Sequence, residues 1–275
     1  MGRFTSEIDT RHGHLSVAQS REDGPAVLFI HGNSSCKEIF DRQLNSPLGE
    51  QYRLIAFDLP GHGASGDAPD PQQSYSIPGF AGAACDLLAA VGVDEAVLVG
   101  WSLGGHVALE MMAQWPGTRA AWITGTPPVG ANPDDMAKGF LPSEHMDLTF
   151  KAQFTDDEAF SYAREAIGEN VKTEDWMIAA AKRTDGRFRP LMLQAALEGK
   201  GEDQRRIVET AAQPLAVVSG ELEPFVNNAY LHELAYANLW DGRVHVLNGL
   251  GHTPFWEAPE AINPLLGRFF ADVTP

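Results

Sequence analysis

The chain has 275 residues, of which 44% are hydrophobic and 21% are charged, values typical of an ordinary globular protein with one large or two small domains. Its 20 lysines and arginines against 37 aspartates and glutamates give a formal net charge of -17. That balance excludes the basic surface with which proteins bind nucleic acids or anionic membranes. We therefore expect neither as a partner.

Cysteine content and hydropathy predict the compartment. Two cysteines, Cys36 and Cys85, are too few for a disulfide framework and favour a reducing environment. The N-terminal residues lack an apolar signal segment, and no stretch approaches the roughly 18 apolar residues that a membrane span needs. The sequence therefore predicts a cytoplasmic protein.

Strand-like and helix-like segments alternate along most of the chain. The first residues alternate apolar and polar around a turn at 10–13, which predicts a hairpin of half-buried strands. Short continuous apolar runs then follow at residues 26–30, 54–57, 96–99, 120–123, 215–218 and 244–247. Such runs are typical of strands covered on both faces, and helical patterns at 80–91 and 103–114 lie between them. The fold class is therefore α/β with a mostly parallel sheet.

A helical insertion interrupts this alternation. Between residues 130 and 212 no strand-like run occurs, so we predict a helical cap over 130–212 and a core formed by 1–129 and 213–275. Within the helical cap, Thr155 and Glu158 form a capping box, apolar residues follow at helical spacing, and Gly168 ends the helix.

The strongest chemical motif is Gly-Trp-Ser-Leu-Gly at 100–104. It follows a predicted strand and opens a predicted helix, which is the context that the G-x-S-x-G nucleophile elbow requires. The glycines are needed because the turn is tight and a Cβ there would collide with the backbone. Ser102 is therefore the candidate nucleophile.

A second loop, His31-Gly32-Asn33-Ser34, directly follows the strand at 26–30. In proteins with a G-x-S-x-G nucleophile elbow, the loop after this strand supplies half of the oxyanion hole. We therefore expect the backbone N–H groups of Asn33 and Leu103 to bind a developing oxyanion. Cys36 nearby is interpreted as a packing residue rather than a second nucleophile.

A serine nucleophile needs a base, and the base needs an orienting carboxylate. The loop after the strand at 244–247 carries His252, which we interpret as the base; His62 is the alternative. For the acid, Glu221, Glu223 and Asp241 all lie close in sequence, and we favour Glu223.

The sequence predicts neither a metal nor a cofactor. His12 and His14 superficially look like a metal pair, but they lie at the hairpin turn without further ligands, and the chain contains no HxHxDH run of metal ligands. We therefore expect a reaction carried by protein groups alone.

Several strings resemble the α/β-hydrolase superfamily: HGNSS at 31–35, DLPGHGAS at 58–65, GWSLGGH at 100–106 and GHTPFWEAP at 251–259. The superfamily's acid-loop signature is G-x-x-D-P, and residues 220–224 match it with Glu223 in place of aspartate. The resemblance implies an eight-stranded, mostly parallel sheet flanked by helices. Haloalkane dehalogenases and epoxide hydrolases are excluded because they use an aspartate nucleophile where this chain has Ser102.

Within the superfamily the chain is most similar to serine-type N-acyl-homoserine lactonases, which degrade quorum-sensing signals. The shared strings are HGNSS and GWSLGGH together with TGTPPV at 124–129, RTDGR at 183–187 and EPFV at 223–226. This resemblance implies hydrolysis of a neutral acylated lactone through an acyl-enzyme on Ser102. We expect substrate contacts from Trp101 and from Tyr162 of the helical cap, whose hydroxyl would donate to the lactone or to Glu223. The alternative for Tyr162 is that it packs the cap against the core.

Other functions use the same residues. A general carboxylesterase and a carbon–carbon bond hydrolase share the serine, histidine and acid arrangement, and a hydrolase-like receptor of small molecules retains the fold. A substrate panel separates the two enzymes, and turnover beyond one equivalent of ligand separates an enzyme from a receptor.

Overall fold

The computed structural model describes residues 3–130, 133–143, 146–168 and 171–274. The strands in these residues are β1 (Phe4–Thr10), β2 (Gly13–Gln19), β3 (Ala26–Ile30), β4 (Arg53–Phe57), β5 (Ala96–Trp101), β6 (Thr118–Thr124), β7 (Leu215–Gly220) and β8 (His245–Leu247). They form one eight-stranded sheet in the order β1-β2-β4-β3-β5-β6-β7-β8. Strand β2 is antiparallel to β1 and β4, and the remaining neighbours pair in parallel.

Helices connect the strands. Those before β6 are α1 (Asp41–Leu44), α2 (Leu48–Gln51), α3 (Pro71–Ser74), α4 (Ile77–Ala90) and α5 (Leu103–Gln114). Between β6 and β7 lie α6 (Pro133–Gly139), α7 (Asp156–Ile167), α8 (Asp175–Arg183), α9 (Phe188–Leu197) and α10 (Gln204–Thr210). After β7 come α11 (Asn228–Glu233), α12 (Pro254–Glu257) and α13 (Pro259–Val273). Short 3-10 helices occupy Lys37–Phe40, Met146–Phe150 and Trp240–Gly242.

The central strands β3 and β5 contain only apolar residues and glycine, because both faces of the sheet are covered there. Along β3, Leu28 and Ile30 enter the hydrophobic core on one face, whereas Val27 and Phe29 enter the core on the other. Helices α4 and α5 contribute to the first core and α13 to the second. The parallel arrangement places the carboxyl ends of β3, β5, β7 and β8 along one edge, and the candidate residues follow these ends.

The predicted strands and the hairpin are confirmed, with small differences at their ends. Helix α5 has the predicted bounds, but α4 begins at Ile77 rather than at residue 80. The hydroxyl of Ser76 accepts a hydrogen bond from the backbone N–H of Gly79 at 3.1 Å, and Pro78 in the first turn has no N–H that needs a partner. Strand β8 begins at His245 rather than at residue 244.

The described part of the segment between β6 and β7 is helical, apart from an isolated bridge between Phe140 and Val226. The predicted helix within it is confirmed as α7: Thr155 and Glu158 form the reciprocal capping box, and Gly168 follows with φ of 91°. Its division from the core at residues 130 and 212 stays a prediction. Within the described residues, every helix is too short or too polar to cross a bilayer.

Candidate active site

Ser102 lies in a tight turn between β5 and α5. Its φ of 55° is left-handed, a conformation that is strained for a residue with a side chain. A Cβ on Gly100 or Gly104 would collide with neighbouring backbone, so the turn requires both glycines. The end of β6 and the residues after it hold the turn: Ser102 N–H donates to the carbonyl of Thr124, and the hydroxyl of Thr126 donates to the carbonyl of Ser102, both at 2.8 Å. The predicted elbow geometry is therefore present at Ser102.

His252 and Glu223 meet in the loops after β8 and β7. The imidazole Nδ1 lies 2.8 Å from Oε1 and 2.9 Å from Oε2 of Glu223, and both side chains are almost completely buried. Glu223 also accepts a hydrogen bond from the backbone N–H of Phe225 at 3.1 Å. A carboxylate at Nδ1 fixes the proton there and leaves Nε2 as the acceptor, which is the form that a general base needs.

The other two candidate acids have different surroundings. Glu221 is exposed and accepts a hydrogen bond from the backbone N–H of Gly249 at 2.8 Å. Asp241 pairs with Arg268 at the surface and lies 3.6 Å from the imidazole of His245. Of the three carboxylates considered from the sequence, the structure brings Glu223 to His252.

The loop that carries His252 is fixed on several sides. The carboxylate of Glu257 accepts hydrogen bonds from the backbone N–H groups of Gly251 at 2.8 Å and Thr253 at 2.9 Å, which flank the histidine. The indole N–H of Trp101 donates to the carbonyl of His252 at 2.8 Å. Burial raises the pKa of Glu257, whereas the two backbone N–H groups lower it. The sequence analysis missed Glu257, although its place five residues after His252 in GHTPFWEAP was visible.

Gly125 gives the imidazole its space. This residue follows β6 with φ of 61°, and a Cβ there would lie 2.6 Å from the ring of His252. Both the conformation and the space therefore require glycine. It belongs to the TGTPPV string at 124–129.

The predicted oxyanion loop packs against the turn at Ser102. A Cβ on Gly32 would lie 3.0 Å from Cβ of Ser102 and 3.1 Å from the ring of Trp101, so the two loops are in close contact. Leu103 is the first residue of α5, where backbone N–H groups have no partner within the helix and the helix dipole favours negative charge. Asn33 and Leu103 line the same cavity as Ser102 and His252.

Side-chain hydrogen bonds hold Asn33 in this loop. Its Nδ2 donates to the carbonyl of Thr149 at 3.2 Å, and its Oδ1 accepts from the hydroxyl of Ser34 at 2.6 Å. Ser34 has a left-handed φ of 56° and in turn accepts from Nε of Arg189 at 2.8 Å. Thr149 and Arg189 come from the segment between β6 and β7, so that segment contacts the loop directly. The sequence analysis missed Arg189.

The cavity next to Ser102 has a volume of about 270 Å³, at the small end of the range for small-molecule sites. Apolar side chains form most of its wall, among them Ile77, Val129, Phe140, Phe150, Met192 and Leu193. His106, one turn of α5 beyond Ser102, is a polar group in that wall, and its Nδ1 lies 2.7 Å from Oε1 of Gln204. Burial lowers the pKa of His106, so its ring is neutral near pH 7. The mostly apolar wall therefore suits a largely apolar ligand.

Comparison with known proteins adds the family to this geometry. Residues 27–265 match the model of the alpha/beta hydrolase family. The chain belongs to the α/β hydrolase family. It is similar to the N-acyl homoserine lactonase AidH in complex with N-butanoyl homoserine, with 42% identity, a TM-score of 0.94 and coverage of 98% of this chain and 97% of that one. A mutant of AidH in complex with N-hexanoyl homoserine lactone gives 42% identity, a TM-score of 0.94 and coverage of 98% of both chains.

A curated esterase is also similar over nearly its whole length. The pimeloyl-[acyl-carrier protein] methyl ester esterase of Xanthomonas campestris pv. campestris (strain B100) is 30% identical over 265 residues, which cover 90% of this chain and 96% of the esterase. Together with the lactonase, it identifies this α/β hydrolase as an enzyme that acts on esters.

Trp101 and Tyr162, the predicted substrate contacts of this α/β hydrolase, both line the cavity. Burial raises the pKa of Tyr162 to about 12, while the charge of Arg189 and hydrogen bonds with the side chains of Thr149 and Ser34 lower it. Its hydroxyl therefore lies at the oxyanion loop. Among the described residues, its hydrogen-bond partners do not include Glu223.

His62 has a different environment from His252. Its ring is buried against Phe188, with centroids 4.7 Å apart, and its Nδ1 lies 3.0 Å from the carbonyl of Pro60. Burial lowers the pKa of His62 well below 6.5, and the residue does not contribute to the wall of the cavity. The structure thus places His62 in the packing of the α/β hydrolase core.

The histidines at 12 and 14 of this hydrolase also have separate surroundings. His12 is buried with Nδ1 3.0 Å from the hydroxyl of Ser74, whereas His14 is half-buried between Asp9 and Glu7 at 3.1 Å from each. Hydrogen bonds from its ring to the carboxylates of Asp9 and Glu7 raise the pKa of His14, with the bond to Asp9 contributing most. The two imidazoles therefore do not face a common point.

One other group of potential metal ligands occurs in the described residues: Cys36, Glu38 and Asp58. The ammonium of Lys37 lies 2.8 Å from Asp58 and 3.0 Å from Glu38, so a cation already balances the two carboxylates. Burial raises the pKa of the Cys36 thiol, which keeps it protonated. This group is a buried ion pair with a packed thiol.

Proposed function

We propose that this α/β hydrolase opens the lactone ring of N-acyl-homoserine lactones through an acyl-enzyme on Ser102. The observation that carries the proposal is the likeness to AidH, at 42% identity over 98% of the chain. The pairing of His252 with Glu223 and the cavity shared by His252 and Ser102 support it.

The first half of the reaction forms the acyl-enzyme. Nε2 of His252 takes the proton of the Ser102 hydroxyl as Oγ attacks the lactone carbonyl, and the N–H groups of Asn33 and Leu103 bind the oxyanion. Each such donor is worth on the order of 3 kcal/mol in the transition state. The bond between the carbonyl carbon and the ring oxygen then breaks, and the ring oxygen takes the proton from His252.

The second half releases the product. The former ring oxygen is now a hydroxyl that remains tethered to the acyl group, so it competes with water for the ester carbonyl. Water gives its proton to Nε2 of His252 and attacks, the bond to Oγ breaks, and Ser102 regains a proton. The products are N-acyl-homoserine and the free enzyme, with no cofactor involved.

The cavity supports an acylated substrate. Its apolar wall next to Ser102 provides space for a hydrocarbon chain, whose burial is favourable by roughly 0.8 kcal/mol per CH₂ group. We assign Trp101 and Tyr162 to the walls of the lactone end, and residues 130–212 to a cap over the site. Contact between Thr253 Oγ and the carbonyl of Ala166 at 2.5 Å supports the latter, since it joins α7 to the loop of His252.

The direct test is mass spectrometry of N-hexanoyl-homoserine lactone after incubation with enzyme in ¹⁸O-labelled water. We expect the gain of one labelled water at the carboxylate, at far more than one equivalent per enzyme. Ser102→Ala gives the background rate of spontaneous opening, and a parallel sample with EDTA tests the metal-free mechanism. Lactone opening no faster than with Ser102→Ala contradicts the proposal, and loss of activity in EDTA that zinc restores contradicts the mechanism.

The second candidate is a general carboxylesterase, which the 30% identity to the methyl ester esterase favours. Aryl, methyl and dienoate substrates are assayed beside the lactone to test it. Hydrolysis of the open-chain esters that depends on Ser102, without opening of the lactone, would establish this candidate instead. Hydrolysis of the dienoate alone would indicate carbon–carbon bond cleavage.

A further inference from the structure

Arg189 is a buried cation without an acidic partner. This residue of α9 is 1% exposed, yet among the described residues no carboxylate forms an ion pair with it. Its Nε donates to the hydroxyl of Ser34 at 2.8 Å, and its Nη atoms donate to the carbonyls of Lys151, Ala152 and Ala181 at 3.0–3.2 Å. The guanidinium also lies over the ring of Phe154, 3.8 Å from its centroid.

A charge in this position is costly for the fold. Taking an ion out of water is unfavourable, and neutral carbonyls offset less of that cost than a carboxylate does. Burial lowers the pKa of Arg189 to about 10, so the side chain remains charged near neutral pH. A neutral side chain could also donate hydrogen bonds to these three carbonyls and the hydroxyl, so the bonds alone do not require a charge. The retained charge therefore favours a negative partner, and the described residues supply no carboxylate for this role.

The hydrogen bonds of Arg189 lead to the oxyanion loop. Nε–H of Arg189 donates to Ser34 Oγ, which donates to Oδ1 of Asn33 at 2.6 Å. Hydrogen bonds in such a series polarise one another in the direction of donation. Ser34 also holds a left-handed φ of 56°, and this turn directs the main chain at Asn33. The side chain of Arg189 thus supports both the shape and the polarity of this loop.

We propose that Arg189 is a positioning residue for the oxyanion hole: it holds the Asn33–Ser34 turn from behind, and its positive charge on that side of the turn favours the negative charge that develops during ester cleavage. This inference rests on the proposed function only in that Ser102 attacks an ester carbonyl. It applies equally to a lactone and to an open-chain ester. Its test therefore remains available on an aryl ester if lactone opening fails.

A purely structural role for Arg189 predicts different kinetics. If the residue only joins residues 151–152, Ala181 and the loop at Ser34, its loss lowers the melting temperature and loosens the cavity. KM then rises, while kcat is unchanged. A role in the oxyanion hole acts on kcat, because the negative charge exists only beyond the ground state.

The experiment compares Arg189→Gln, Arg189→Lys and Ser34→Ala with Arg187→Gln. The control removes an arginine two residues away that is exposed and pairs with Asp185. For each variant, kcat and KM are measured with an aryl ester and with the lactone, together with the melting temperature. Affinity is measured for an alkyl boronic acid, whose tetrahedral adduct with Ser102 carries a negative charge, and for a neutral acyl amide of the same length.

We expect Arg189→Gln to lower kcat by on the order of 10- to 100-fold, with KM within about threefold of the wild-type value. The affinity for the boronic acid should fall by a similar factor, whereas the affinity for the amide should not change. Arg189→Lys should recover part of both losses. Ser34→Ala should lower kcat several-fold, and its effect should largely disappear in the Arg189→Gln background because both act through one series of bonds.

Two results would overturn the inference. One is a kcat and boronic acid affinity in Arg189→Gln equal to those of Arg187→Gln. The other is a loss that lies in KM and melting temperature alone. If Arg189→Gln does not fold, Ser34→Ala decides, since it cuts the link to Asn33 while keeping the arginine, and an unchanged kcat there also overturns the inference.

Discussion

The glutamate at 223 is one methylene longer than the aspartate that is commonest at this point of the family's acid loop, and its length sets where the carboxylate lies. Both carboxylate oxygens lie within 2.9 Å of Nδ1 of His252, and Oε1 also accepts from the backbone N–H of Phe225. An aspartate on the same backbone would end about 1.5 Å short. The loop and the longer side chain therefore fit each other.

This geometry predicts the behaviour of substitutions at Glu223. Glu223→Gln keeps the shape but offers an amide to Nδ1, which favours the wrong tautomer, and we expect kcat to fall by on the order of 10³-fold. Glu223→Asp keeps the charge at a longer distance and should retain partial activity. Steady-state kinetics with the lactone, beside thermal unfolding curves, measure both effects.

Glu221→Gln is the matched control, because Glu221 lies on the same loop. Its carboxylate is exposed and accepts a hydrogen bond from the backbone N–H of Gly249. We expect nearly unchanged kinetics there. A crippled Glu221→Gln together with an active Glu223→Gln would show that the acid has been assigned wrongly.

Helix α7 forms part of the wall of the cavity next to Ser102. Tyr162 and Ala166 of this helix line the cavity, and Thr155 begins the helix through its capping box with Glu158. The position of both wall residues therefore depends on how well the first turn of α7 is formed.

Thr155→Ala should lower the free energy of unfolding by about 1 kcal/mol, since it leaves the N–H of Glu158 without its side-chain acceptor. Urea denaturation measures this loss, and hydrogen exchange should become faster in the first turn of α7. Thr210→Ala is the control. Thr210 is the last residue of α10, and its hydroxyl donates to the carbonyl of Arg206 rather than capping an N-terminus. An equal cost for both substitutions would argue against the capping box.

The elements were predictable because their signals are local. Strands such as β3 are short apolar runs, and Ser102 and His252 lie in motifs whose place after a strand identifies them. The early start of α4 was not predicted, because Pro78 reads as a helix breaker until Ser76 is recognised as the cap.

The supports of the candidate site depend on contacts that no local pattern contains. Arg189 and Ser34 are 155 residues apart in the chain and meet only after the segment between β6 and β7 packs on the core. Asn33 and Thr149 are separated by 116 residues. Glu257 lies close to His252 in sequence, but its role requires knowing that its carboxylate turns back onto two backbone N–H groups.

For the whole molecule, buried histidines link stability to pH. Burial lowers the pKa of five of them, which are His12, His31, His62, His106 and His245. In the unfolded chain each has an ordinary pKa near 6.5. Below that pH the unfolded chain therefore binds protons that the folded protein does not, and stability falls as pH falls.

We expect the free energy of unfolding to decrease between about pH 6.5 and pH 5, by up to about 1.4 kcal/mol per pH unit for each histidine that stays neutral in the fold. His62 is the clearest case, since its ring is fully buried against Phe188. Urea unfolding at several pH values in this window measures the slope, and His62→Phe should make it shallower whatever it does to stability at pH 7.5. His14→Gln should leave the slope in this window nearly unchanged, because hydrogen bonds to Asp9 and Glu7 raise the pKa of His14, and below pH 6.5 its ring is protonated in the folded and unfolded states alike. An identical slope in the wild type and in His62→Phe would mean that His62 gains its proton in the folded state, and the packing around it would then have to open to admit water.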